Sequence, residues 1–138
     1  MSTVLVHLRA DLEGDLSSLD SMHELFASLW NELPEISSRD RALFSLAVAE
    51  IAANVVEHLQ SVSRSWELDL KAWNDRLEAL IRHAGPVVER ALTESMMPGE
   101  MVESGRGLAL AAAASSLHYS HCTDPEGSEW RVVHSFTI

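Results

Sequence analysis

Glu50 and Asn54 stand four residues apart in a run, 41–59, that is otherwise almost wholly apolar. Four residues are about one helical turn, so a carboxylate and an amide share one face. Neighbours such as Leu46, Val48, Ile51, Ala53, Val55 and Val56 predict a helix buried on most sides. Burying an amide without a partner costs about 2–7 kcal/mol, and a bare carboxylate costs more. Something polar must therefore face the pair. Magnesium held against a nucleotide is one answer, because Mg²⁺ takes hard oxygen ligands and draws few of them from protein. A solvent groove, or a backbone partner, is the other.

A second constellation lies further along. Gly105, Arg106 and Gly107 form a tight turn that runs straight into Leu108 and an alanine-rich stretch. Glycine lets the backbone approach a ligand closely. The unpaired N–H groups and dipole of a helix start attract anions, so a phosphate would sit well there. Close packing of that helix start on a sheet explains the same glycines without a ligand. His118, His121 and Cys122 are a third group of potential ligands. On a strand, however, alternation leaves only His118 and Cys122 on one face, about 13 Å apart, too far to share one ion.

These residues need a scaffold, and the rest of the chain predicts one. Residues 3–9 are β-branched and partly alternating, which predicts an opening strand. An acidic turn, 11–15, follows. Leu16, Leu19, Met22, Leu25, Phe26 and Leu29 then recur at helical spacing, and Pro34 stops that helix. Ser37 or Ser38 caps the next one, which runs to about Leu59. Trp66, Leu68, Leu70 and Ala72 alternate with charged residues as a half-buried strand, and Asn74-Asp75 supplies a hairpin turn. Leu77, Ala79 and Ile81 continue the alternation, with Leu80 as a break, until Gly85-Pro86. A short helix and loop over 87–104, a helix over 106–116, and strands near 117–123 and 129–138 complete the order. Strand pairs separated by helices predict an α+β sandwich whose mostly antiparallel sheet is covered on one face. The four tryptophans, Trp30, Trp66, Trp73 and Trp130, read as packing residues.

Bulk properties narrow the function classes. The 138 residues fit one domain, 1–138, with 46% hydrophobic residues. Ten Lys and Arg against 21 Asp and Glu give a net charge of −11. Such a field repels phosphate backbones, so direct nucleic-acid binding is not expected. A basic protein partner is attracted. No apolar run approaches the ~20 residues that cross a membrane. No secretory signal is evident, and one cysteine, Cys122, excludes an intrachain disulfide. Together these point to a reducing cytoplasm.

The helix carrying Glu50, Asn54 and His58, the Gly85-Pro86 turn after a strand, and the run Gly105-Arg106-Gly107-Leu108 together resemble the histidine kinase-like ATPase fold. That fold is shared by gyrase, heat-shock chaperones and histidine kinases. Within it the chain is most similar to the stand-alone anti-sigma factor serine kinases, over nearly its whole length. The resemblance implies a two-layer α+β sandwich with a mixed, mostly antiparallel sheet that binds ATP and Mg²⁺. It implies that the protein holds a sigma factor and phosphorylates a serine or threonine on an antagonist protein. Glu50 would be the general base and Asn54 the magnesium ligand, with His58 supporting the pocket. Gly85 belongs to the first glycine box. Gly105, Arg106, Gly107 and Leu108 match the second, against the phosphates, and 87–104 would be the lid. Pairing through residues 3–30 would make a homodimer. One position departs from the pattern: His83 stands where the family's adenine-reading aspartate belongs. A neutral imidazole offers a single acceptor. The second reading is accordingly a partner-switching module that binds proteins without turning over ATP.

Overall fold

The computed structural model describes residues 3–60, 65–84, 116–123 and 126–136. In chain order these form β1 (Val6–Glu13), α1 (Ser17–Glu32), α2 (Ser38–Gln60), β2 (Ser65–Ala72), β3 (Arg76–Ala84), β4 (Ser116–Thr123) and β5 (Glu126–Ser135). The strands make one sheet in the order β1-β2-β3-β5-β4. Every pairing in it is antiparallel, so the mixed sheet expected from the resemblance is not what these residues form. β2 and β3 are joined by a short turn, whereas both helices lie between β1 and β2. The expected helices within 87–104 and 106–116 lie outside the described residues. Among the described residues no helix is long and apolar enough to cross a membrane.

β1 begins later and ends later than its β-branched residues suggest. Its ladder with β2 runs from Val6↔Ala72 to Glu13↔Ser65, so the acidic stretch 11–13 is strand and only Gly14-Asp15 turns. Ala10 and Leu12 point inward while Asp11 and Glu13 point out, and that alternation outweighs the poor strand propensity of acidic residues. The same alternation puts Trp66, Leu68 and Leu70 of β2, Leu77, Ala79 and Ile81 of β3, and Trp130 and Val132 of β5 in the core. Leu80 breaks the pattern because it stands on the opposite face, where it is nevertheless buried. Of the tryptophans, Trp66 and Trp130 are fully buried, whereas Trp30 and Trp73 are half-exposed.

Both helices are started by polar side chains that satisfy orphan N–H groups. The Asp15 carboxylate accepts from the Ser18 N–H at 3.3 Å and from the Ser17 hydroxyl at 2.6 Å. At α2, Ser37 Oγ accepts from the Asp40 N–H at 3.1 Å and donates to Asp40 Oδ2 at 2.7 Å, a serine cap with aspartate at the capping-box position. Arg41 joins the two helices. Its guanidinium donates to the carbonyls of Leu33, Pro34 and Ile36 and lies 5.7 Å over the Trp30 ring. The turn after Pro34 thus keeps its carbonyls bonded and holds α2 against α1.

Candidate functional site

α2 is the element that carries the acid–amide pair. Its core side presents Phe44, Ala47, Val48, Ile51, Val55 and Val56, all buried. Its far side exposes Ala42, Leu46, Ala53 and Glu57. Glu50 and Asn54 lie on the margin between the two, half-buried. The helix is thus buried or half-buried on most sides, as its apolar run predicts, with a single exposed stripe among the described residues. Two residues of that stripe, Ala42 and Ala53, are alanines, which cost little when left in water. Half-burial suits the pair better, since a carboxylate and an amide at the margin keep access to solvent and to a ligand.

The sheet beneath α2 contributes His83. It stands at the end of β3, in register with Trp66 on β2 and Ser128 on β5, and faces the side that the helices cover. Only 5% of it is exposed. α2 packs over β3 and β5, so Glu50, Asn54 and His83 belong to the same two layers. The His58 side chain, Gly85, Gly105, Arg106, Gly107, Leu108 and the lid segment 87–104 lie outside the described residues. Among the described residues, no three His, Cys, Asp or Glu side chains form a metal cage. One amide oxygen together with substrate phosphates is an ordinary Mg²⁺ environment, so Asn54 fits that ion by donor type. His118 stands exposed on β4, opposite Arg131, on the face away from the helices.

Two polar constellations are plain in the structure but were not singled out in the sequence. The first joins α2 to the sheet: His134, buried on β5, bonds through Nε2 to Asp40 Oδ1 at 2.8 Å. That bond, then the one from Ser37, holds the Asp40 carboxyl below its ordinary range. The signal was the capping-box spacing of Ser37 and Asp40, which fixes an acid at the helix start without naming its partner. The second is a lattice across the face away from the helices. Arg82 donates to Glu129 at 2.8 Å and to Asp69 at 3.1 Å. Arg9 donates to Glu67 at 2.6 Å, Arg131 grips Glu78 at 2.7 Å, and His7 bonds Asp69. Arg9, Lys71, Arg76, Arg82 and Arg131 are half of the chain's ten Lys and Arg, and all stand on this face. Their charge is largely matched there by Glu67, Asp69, Glu78 and Glu129. The unbalanced negative charge of the described residues therefore lies mainly on the helical side, where α1 carries Asp20, Glu24 and Glu32 and no Lys or Arg.

The lattice makes stability depend on pH. Burial pushes the Asp69 carboxyl up, but the bonds and charges of His7 and Arg82 outweigh it and leave the group below its ordinary range. Asp40 is lowered as well. Both acids thus ionise more readily folded than unfolded. The stability they contribute is complete above the unfolded value of about 3.9 and is lost as pH falls through their lower folded values. Urea unfolding is expected to give constant contributions from these groups near neutrality and a steep loss below about pH 4. Asp69→Asn is expected to flatten that acid slope. An unchanged slope would show that Asp69 is not linked to folding.

No protein-family model matches the chain, and no curated protein sequence does. A functional reading therefore rests on the residues themselves and on the α+β frame that carries them.

Proposed function

We propose that the protein is an ATP-binding anti-sigma regulator with the histidine kinase-like ATPase fold, which phosphorylates a serine or threonine of an antagonist protein. The observation that carries this reading is the Glu50–Asn54 pair, one turn apart on the half-buried margin of the helix that packs on the sheet. The dimensions support it. Asp40 is bonded to His134, which pairs with Leu77 near the start of β3. From Leu77 to His83 is about 20 Å of strand. From Asp40 to Glu50 and Asn54 is about 15 and 21 Å of helix. An α2 running along β3 would carry the pair towards the His83 end.

In that reading His83 receives the adenine edge, and Asn54 offers its amide oxygen to magnesium. When bound, the ion neutralises charge on the phosphates. Glu50 orients the acceptor hydroxyl and takes its proton as the oxygen bonds to the γ-phosphorus, with ADP leaving. The sigma factor and the antagonist are the proposed partners, in the cytoplasm. Their basic surfaces would meet the acidic helical side. The exposed edge of β1, together with α1, is the proposed homodimer contact.

The competing reading, a partner-switching module without ATP turnover, is favoured by one observation. A buried imidazole at position 83 replaces a carboxylate and supplies a single acceptor. Calorimetric titration with ATP and Mg²⁺, with GTP as the control, separates the two. Micromolar, magnesium-dependent and ATP-selective binding is the expected result, and no binding would leave only the protein-binding module. His83→Asp is expected to tighten ATP binding about tenfold, the equivalent of one added hydrogen bond of roughly 1.5 kcal/mol. Unchanged affinity would mean that position 83 does not read the base.

A further inference from the structure

Each helix is fastened to the sheet by a buried polar contact near its N-terminus. For α1, the Trp66 indole N–H donates to Ser18 Oγ at 3.2 Å and to the Glu13 carbonyl at 3.1 Å. For α2, the imidazole of His134 bonds Asp40 Oδ1 at 2.8 Å. His134 pairs with Leu77 of β3, one residue beyond the end of the β4 ladder at Val133. Its side chain is only 6% exposed, against 25% for Asp40. The other oxygen of Asp40 receives the Ser37 hydroxyl, and the Asp40 N–H is bonded by the same Ser37. One carboxylate thus closes the first turn of α2 and takes a donor from β5.

We propose that His134 is a positioning residue: through Asp40 it sets where α2 sits on the sheet, and so where Glu50 and Asn54 are presented. This rests on the reading of those two residues as the nucleotide pair. The apolar contacts of α2 with the sheet set that position less sharply. Its buried face combines Ala47, Val48, Ala52, Val55 and Val56 with the larger Phe44, Ile51 and Leu59, and apolar attraction has no direction. A hydrogen bond weakens over a few tenths of an ångström and fixes both height and rotation. It acts at the first turn, and the rigid helix carries that constraint to Glu50 and Asn54. Misplacement by about 1 Å at a reacting group can cost on the order of 100-fold in rate, so a remote anchor has leverage. A histidine that merely filled its site would be replaceable by any ring of similar volume, with α2 unmoved.

Three measurements on the full chain test this. His134→Phe keeps a ring and removes the bond, whereas His134→Gln retains an N–H donor. The side-chain amide signal of Asn54 and the backbone amides of 46–56 report the helix position by NMR, with no nucleotide present. Calorimetry with ATP, with and without Mg²⁺, reports its consequence. The expected result is a folded His134→Phe protein whose Asn54 signals move and whose magnesium-dependent gain in ATP affinity falls at least tenfold, with both restored in His134→Gln. Should His134→Phe fail to fold, Asp40→Ala removes the acceptor instead and is expected to move the same signals. A folded variant of either kind with unmoved Asn54 signals overturns the proposal. If the unsubstituted protein binds no ATP, the nucleotide reading falls, while the Asn54 signals still decide whether His134 positions the helix.

Discussion

Glu50→Ala is expected to abolish phosphoryl transfer to the antagonist hydroxyl while leaving magnesium-dependent ATP binding within a few-fold of the unsubstituted protein. A positioned general base contributes typically 10²–10⁴-fold, and an acceptor that also loses its orienting partner falls at the upper end. Removing the carboxylate does not touch the groups proposed to hold adenine or metal, so affinity and rate should separate. Structural damage is a poor alternative explanation for such a loss. Glu50 is half-buried on the margin of α2 rather than in its core face, and alanine is the strongest helix former. The measurement is transfer of labelled γ-phosphate to the antagonist, paired with calorimetry and thermal unfolding on the same preparation. Phosphorylation retained at more than about a tenth of its rate would remove Glu50 from the role of base. Loss of binding together with transfer would instead make Glu50 a ligand-holding residue.

The same pair shows how far the sequence could be read. A helix through 41–59 was legible because its apolar residues persist over many turns and a capping serine precedes it. The β2–β3 hairpin was legible from alternation about Asn74-Asp75, broken only at Leu80. Both are local signals. The register of β1 was not local: Asp11 and Glu13 are poor strand residues alone, and only the ladder to Leu68, Glu67, Trp66 and Ser65 extends the strand through them. The burial of Leu80 and Asp69 on the face away from the helices is equally non-local. It depends on which arginines arrive from β3 and β5. The margin position of Glu50 and Asn54 was left open by the sequence, because hydropathy counts alanine as apolar wherever it points. His134 and Asp40 are 94 residues apart, and no spacing rule joins residues so distant. A pairing of that kind becomes visible only when β5 and the start of α2 are in place.

Phe44→Ala is expected to lower stability by about 3–5 kcal/mol, as other buried phenylalanine truncations do. That is a large share of the ~5–15 kcal/mol that holds a domain together. Phe44 is fully buried one turn after Asp40, where α2 meets α1. Its ring meets Phe26 edge-on, 6.0 Å between centroids, and Trp30 at 6.3 Å and 77°. Arg41 lies over the far partner in that trio, Trp30, while bonding three carbonyls of the turn. Removing the ring therefore leaves a cavity and also takes away the surface against which Trp30 and Phe26 are oriented. Collapse cannot close such a cavity easily, because the serine cap and the His134 bond hold the start of α2 from the other side. Urea unfolding should show a lower midpoint with an unchanged slope, since the surface exposed on unfolding hardly changes. Phe44→Leu should lose much less, having kept most of the volume. A loss below about 1 kcal/mol in Phe44→Ala would show that the α1–α2 contact relaxes freely, and α2 would then be held by the sheet alone.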